Sequence, residues 1–205
     1  GLNWCLHGLT KPVANWCERI LKEQGCLTAE PIYNKVKDFA LEFYSDGRGE
    51  VLFAGYSMFS TNEHGAYTGN LIASDGQIEE MVARYLPLKE LVFMRGSLCT
   101  ELAAIYGNTY TGYLGVDMML CRQEKGQGYV VHPCVEINMR MNMGVVARLF
   151  YDNFVLSGRT GYFNIEYFPD NEALRVRHEQ DMRDWPLIME SGRIVSGYLP
   201  LVPVT

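Results

Sequence analysis

Two short, glycine-bearing connections constrain this chain more than any other feature. VKDFALEFYSDGRGEVLFAGYSMFST, residues 36–61, holds two runs of alternating polar and apolar residues around SDGRGE. Alternation of period two is the signature of a strand with unlike faces, and a connection this short returns the chain antiparallel to itself. The arrangement recurs where GYLGVDMMLCRQ and GYVVHPCVEINMR flank the polar QEKGQG. Strands and helices otherwise mix without a regular βαβ alternation, so the expected class is α+β, with antiparallel sheets flanked by helices.

The remaining elements fill in around these hairpins. KPVANWCERILKEQG places Val13, Trp16, Cys17, Ile20 and Leu21 on one helical stripe, with Thr10 as N-cap and Gly25 as stop. LTAEPIY is extended and interrupted by Pro31, and YTGNLIAS reads as a third strand or a loop entering one. Helical periodicity over residues 75–107 is split near Pro87, and GVVARLFYDNFVLSG is a further helix. The tail is less periodic: RVRHEQDMRD reads as a solvated helix face and MESGRI as a final hairpin turn.

A chain of 205 residues that is 48% hydrophobic can bury one good core or two small lobes. It contains no run of about 18 apolar residues for a membrane span. The N-terminal GLNWCLHGLTKP lacks the charged start and apolar middle of a signal peptide, so the cytoplasm is the expected location and a membrane is not an expected partner. A formal net charge of -6 has the wrong sign for a general nucleic-acid binder. Six cysteines without a CxxC pair, mostly among apolar neighbours, read as buried thiols in a reducing compartment rather than disulfides or structural zinc.

The chemistry concentrates in VVHPCVEINMRMNMG, residues 130–144. Along a strand Glu136, Asn138 and Arg140 project from one face, while Val135, Ile137 and Met139 project from the other. Asp117, in YLGVDMML, is a carboxylate among apolar neighbours and needs a cation or donors nearby. Pairing through QEKGQG brings Asp117 beside Glu136 and Asn138, a hard-oxygen set suited to magnesium when a nucleotide supplies further ligands. The bland alternative is a polar strand face with a cross-strand ion pair.

GVDMM followed by EINMR resembles the C-terminal lobe of the ATP-grasp superfamily, where an acidic residue and then Glu-x-Asn hold magnesium against nucleotide phosphates. The resemblance implies Asp117, Glu136 and Asn138 as metal ligands and Arg140 as a catalytic anion clamp. More loosely, TAEPIYNKVKDFALEFY resembles the family's hinge, with Glu30 ending a strand beside the adenine and Asp38 following as cofactor-binding residues. It implies ATP and magnesium as cofactors, and an ATP-dependent ligase that joins a small-molecule carboxylate to an amine or thiol through an acyl phosphate. Residues 1–157 would be the ATP- and magnesium-binding part and residues 158–205 a C-terminal extension packed on the same domain. The family's phosphate-binding lysines and Ser/Gly-rich flap lie upstream of the first helix, so a truncated chain, inactive alone, is expected.

Two rival functions stand beside this one. A nucleotide-binding or regulatory module without turnover would keep the same residues. A cysteine hydrolase would use Cys134 with His132, although Pro133 between them argues against a dyad. Tyr67 and Asn70 either line a substrate mouth or serve turn chemistry, the latter preferred, and Arg95 either snorkels or contacts phosphate. His7, His64 and His178 receive no role.

Overall fold

The computed structural model describes residues 5, 8–62, 65–124 and 126–202, so His7 and His64 lie outside the described residues. A six-stranded, wholly antiparallel sheet organises the chain in the order β5-β4-β1-β2-β3-β6. Its strands are β1 (Lys35–Asp46), β2 (Val51–Thr61), β3 (Tyr67–Ile72), β4 (Thr111–Arg122), β5 (Tyr129–Asn138) and β6 (Gly161–Asn164). Both expected hairpins form, and YTGNLIAS supplies β3. β6, unforeseen in the aperiodic tail, extends the sheet by pairing Asn70 with Phe163.

The two faces of β1 divide the molecule. Phe39, Leu41 and Phe43 are fully buried against Leu114, Val116, Met118 and Leu120 of β4 and the helices α2 (Asp75–Val82) and α3 (Leu88–Tyr106). Pro87 stands between these helices at the expected break. Ser74 caps α2 in a reciprocal box: its hydroxyl accepts from the Gln77 N–H, and its own N–H donates to the Gln77 side chain. On the opposite sheet face lies α4 (Met143–Phe154), which packs Ala147 and Tyr151 with Ile72 and Val155 and crosses β2 and β3. Arg148 anchors it, pairing with Asp75 at 3.2 Å and Asp152 at 2.7 Å.

Before the sheet, α1 (Lys11–Gln24) forms between Thr10 and a left-handed Gly25, yet none of its residues is buried and Leu21 is 46% exposed. After it, α5 (Asn171–Asp184) has no buried residue, and β7 (Ile188–Glu190) and β8 (Arg193–Ser196) form the final hairpin. No helix among the described residues is long and apolar enough to cross a membrane.

Burial corrects one expectation. Cys121 is buried and Cys17 and Cys99 are partly so, but Cys5, Cys26 and Cys134 are exposed, and all six are free thiols. Apolar sequence neighbours do not bury a side chain on open coil or on an edge strand such as β5, which lacks a neighbour on one side.

Candidate functional site

Sheet register assembles the site. Asp117 lies opposite Ala40 on one side and Glu136 on the other; in the next row, Gly115 lies between Glu42 and Asn138. Directly opposed residues share a face, so the carboxyls and amide of these rows project together. A bulge decides which residue meets Asp117. Arg122 pairs with Tyr129 and Met119 with His132, and continuing that register would set Cys134 opposite Asp117. Instead Pro133, Cys134 and Val135 lie opposite Met118 alone, and the two extra residues deliver Glu136. An insertion of two preserves the face, which is why simple alternation still identified the right side chains.

Hydrogen bonds link the group. Asn138, 9% exposed, donates from Nδ2 to Asp117 Oδ2 at 3.1 Å, and Arg140 donates from Nη2 to Asn138 Oδ1 at 3.2 Å. Glu136 and Arg140 are exposed. Burial, then the negative charge of Glu136, pushes the Asp117 carboxyl up to about 6, against the bond from Asn138. The structure therefore brings Asp117, Glu136, Asn138 and Arg140 together. Among the described residues no three of His, Cys, Asp and Glu converge as a metal site, so the oxygen set here is two carboxylates and one amide.

The remaining expected residues lie elsewhere. Asp38 is buried on the same face, held by Lys35 at 2.5 Å and by the Thr61 hydroxyl at 3.2 Å. Glu30 does not end a strand: residues 26–34 are coil and Glu30 is exposed, with Pro31 lacking the N–H that a sheet ladder would use. Arg95 belongs to the helix-covered face, bonded to the Tyr56 hydroxyl at 3.3 Å with its guanidinium over Phe53. His132 packs edge-on against Tyr33 at 4.9 Å, and among the described residues no hydrogen bond joins it to Cys134. The Tyr67 hydroxyl and both polar atoms of the Asn70 amide are buried without hydrogen-bond geometry to a partner.

Sequence reading missed Glu42. It is 1% exposed, in the central strand, and its carboxyl accepts from Ser57 Oγ at 2.9 Å and from Asn142 Nδ2 at 2.8 Å. Burial raises it from 4.5 to about 7 despite those two bonds, and the charge of Asp117 adds to the rise. Two glycines make the room. A Cβ at Gly115 would overlap Asn142 Nδ2 and Glu42 Oε2, and one at Gly144 would overlap Glu42 Oε1 and Ser57 Oγ. The available signal was a lone carboxylate between Leu41 and Phe43 in an otherwise buried run.

No family model and no curated protein matches the sequence. Partial overlaps occur with solved structures. A biotin carboxylase-β-γ-ATP complex from Campylobacter jejuni is 16% identical over 65% of this chain and 27% of its own, with a TM-score of 0.42. The biotin carboxylase domain of Hydrogenobacter thermophilus 2-oxoglutarate carboxylase, in complex with MgADP, ADP and bicarbonate, is 18% identical over 63% and 25%, with a TM-score of 0.42. N5-Carboxyaminoimidazole synthetase from Staphylococcus aureus, complexed with ADP, is 9% identical over 91% and 51%, with a TM-score of 0.43. The chain thus spans about a quarter of the two biotin carboxylase chains and about half of the synthetase, and these overlaps carry no function across to it.

Proposed function

We propose that this chain is the nucleotide- and magnesium-binding part of an ATP-grasp ligase that couples a small-molecule carboxylate to an amine or thiol through an acyl phosphate. One observation carries the reading: Asp117, Glu136 and Asn138 share a sheet face, and two hydrogen bonds join Arg140 to Asn138 and Asn138 to Asp117. An acid of raised affinity for protons beside a second acid is a group that a cation would relieve. Asp117, Glu136 and Asn138 fit magnesium, which prefers oxygen ligands and keeps open positions for water and phosphate. When bound, the ion supplies neutralisation of phosphate charge.

The chain's own residues do the rest by placement. The Asn138 amide now gives Nδ2 to Asp117, and a half-turn about its last torsion would present Oδ1 to the carboxylates instead. That turn frees the Arg140 guanidinium, exposed two residues beyond β5, for an anionic oxygen of the substrate or transferring group. Asp117 gives up any carboxyl proton as a cation arrives, so affinity should fall as pH drops through about 6. Asp38, buried on the same face with Lys35 and Thr61, flanks the nucleotide side. Residues 1–157 would hold this site, with residues 158–205 as the extension.

Calorimetric titration of MgADP into the chain tests the reading, with Glu136→Ala and Asn138→Ala as paired variants. Magnesium-dependent binding that weakens at least about tenfold in each, ~1.4 kcal/mol, is the expected result. Binding that ignores both the metal and the two substitutions would sink it.

A further inference from the structure

Buried in β1, Glu42 belongs to the row that runs through Gly115 to Asn138. Asn142 descends into the gap that Gly115 leaves, and it bonds at both ends of its amide: Nδ2 donates to Glu42, and Oδ1 accepts from the Val145 N–H at 2.9 Å. A carboxylate accepts and an N–H donates, so the amide has one satisfied orientation and cannot reverse. The second carboxyl oxygen of Glu42 is taken by Ser57, and Gly144 lets the helix start close upon it. Asn142 is also the N-cap of α4, so the carboxyl fixes where that helix begins.

The consequence lies two residues upstream. Asn138 is held by Asp117, and Asn142 is held by Glu42; between them, among the described residues, Arg140 is tied by its N–H to the Asn138 carbonyl at 2.9 Å and by its guanidinium to the same residue's side chain. Two acids on neighbouring strands therefore pin the two ends of the short span that carries the exposed cation.

We propose that Glu42 is a positioning residue: through Asn142 it fixes the 139–142 segment and sets Arg140 over the Asp117, Glu136 and Asn138 group. Its value for nucleotide rests on the function proposed above, whereas its hold on the segment does not. Glutamine at position 42 can still accept from Asn142 and donate to Ser57, so Glu42→Gln keeps the anchor; Glu42→Ala removes it.

Hydrogen–deuterium exchange on the whole chain, followed by MgATP titration of the same samples, separates these claims. In Glu42→Ala the amides of Arg140, Val145 and Val146 should exchange at least about tenfold faster, with β2 and β3 unchanged, and MgATP, whose transferring phosphoryl Arg140 would meet, should bind about tenfold more weakly. Glu42→Gln should stay within about threefold of wild type in both. Asn142→Ala, which leaves Glu42 in place, should reproduce the local exchange and serves if Glu42→Ala does not fold. Unchanged exchange over residues 139–146 in Asn142→Ala, a uniform rise across the sheet in Glu42→Ala, or a loss in Glu42→Gln equal to that in Glu42→Ala would each overturn the anchor. If wild type fails to bind MgATP while the exchange pattern appears, the anchor stands and the proposed function falls; if wild type binds and Glu42→Ala binds as tightly, the effect on Arg140 falls.

Discussion

Replacing Gly144 with alanine should destabilise the protein, against the usual order of helix propensity. Gly144 is the second residue of α4, where alanine would ordinarily gain up to about 1 kcal/mol. Space opposes it: the new methyl would overlap Glu42 Oε1 and Ser57 Oγ and lie 2.8 Å from Ser57 Cβ. Shifting the helix costs about 1–3 kcal/mol as overpacking. Displacing the Glu42 carboxyl instead forfeits two buried hydrogen bonds, each worth about 1–2 kcal/mol. Net of the propensity gain, the loss should be roughly 1–3 kcal/mol, or about 2–12 °C in Tm for a chain of this size. Urea denaturation with an unchanged m-value reads it directly. The same substitution in a Glu42→Ala background should cost at least about 1 kcal/mol less, because the obstructing oxygen has gone. A neutral or stabilising Gly144→Ala would refute the crowding on which the Glu42 anchor depends.

Further outcomes follow from the same geometry. Because folding raises the Glu42 carboxyl from 4.5 to about 7, its ionisation favours the unfolded chain. Stability due to this group is fully present below pH 4.5, falls as pH rises to 7, and is lost above it, by about 3 kcal/mol at 1.36 kcal/mol per unit. Chemical denaturation at pH 5 and pH 8 should show that slope flattened in Glu42→Gln, and an identical slope in both proteins would contradict it. Arg148→Ala removes partners from Asp75 and Asp152 and should cost about 1–3 kcal/mol by thermal denaturation; a change within 0.5 kcal/mol, as for ordinary surface sites, would contradict the anchoring of α4. Manganese, used as a paramagnetic probe in place of magnesium, should broaden resonances around Asp117 and Glu136 at pH 7.5 and much less at pH 5, since the Asp117 carboxyl sits near 6; broadening independent of pH would count against Asp117 as a ligand.

Much of the sheet was legible because its information is local. SDGRGE and QEKGQG close hairpins whose strands alternate visibly, and Asp117 and Glu136 share a face whichever even register is adopted. The bulge at Pro133 was not legible in detail, since which residues a strand loops out depends on what its neighbour offers. Glu42 was harder still: its meaning comes from Asn142, 100 residues away, and from two glycines whose only property is absence of volume. Glu30 misled for the opposite reason, since an acid beside a proline satisfies a linear pattern with no partner strand to make it structure. The aperiodic tail hid β6 because four residues are too few to show a period.

A sheet ends somewhere, and open ladders invite pairing with another chain. Here the two margins are blunted by different means. β6 is four residues long and offers little to extend. β5 is long and exposed, but Pro133 removes a donor near its middle and the bulge breaks its straightness there. The irregularity that sets Glu136 opposite Asp117 therefore also leaves a concentrated chain only short flat stretches along this margin. Smoothing it, by deleting Pro133 and one neighbour, should trade a register of chemical interest for a continuous edge prone to intermolecular sheet growth.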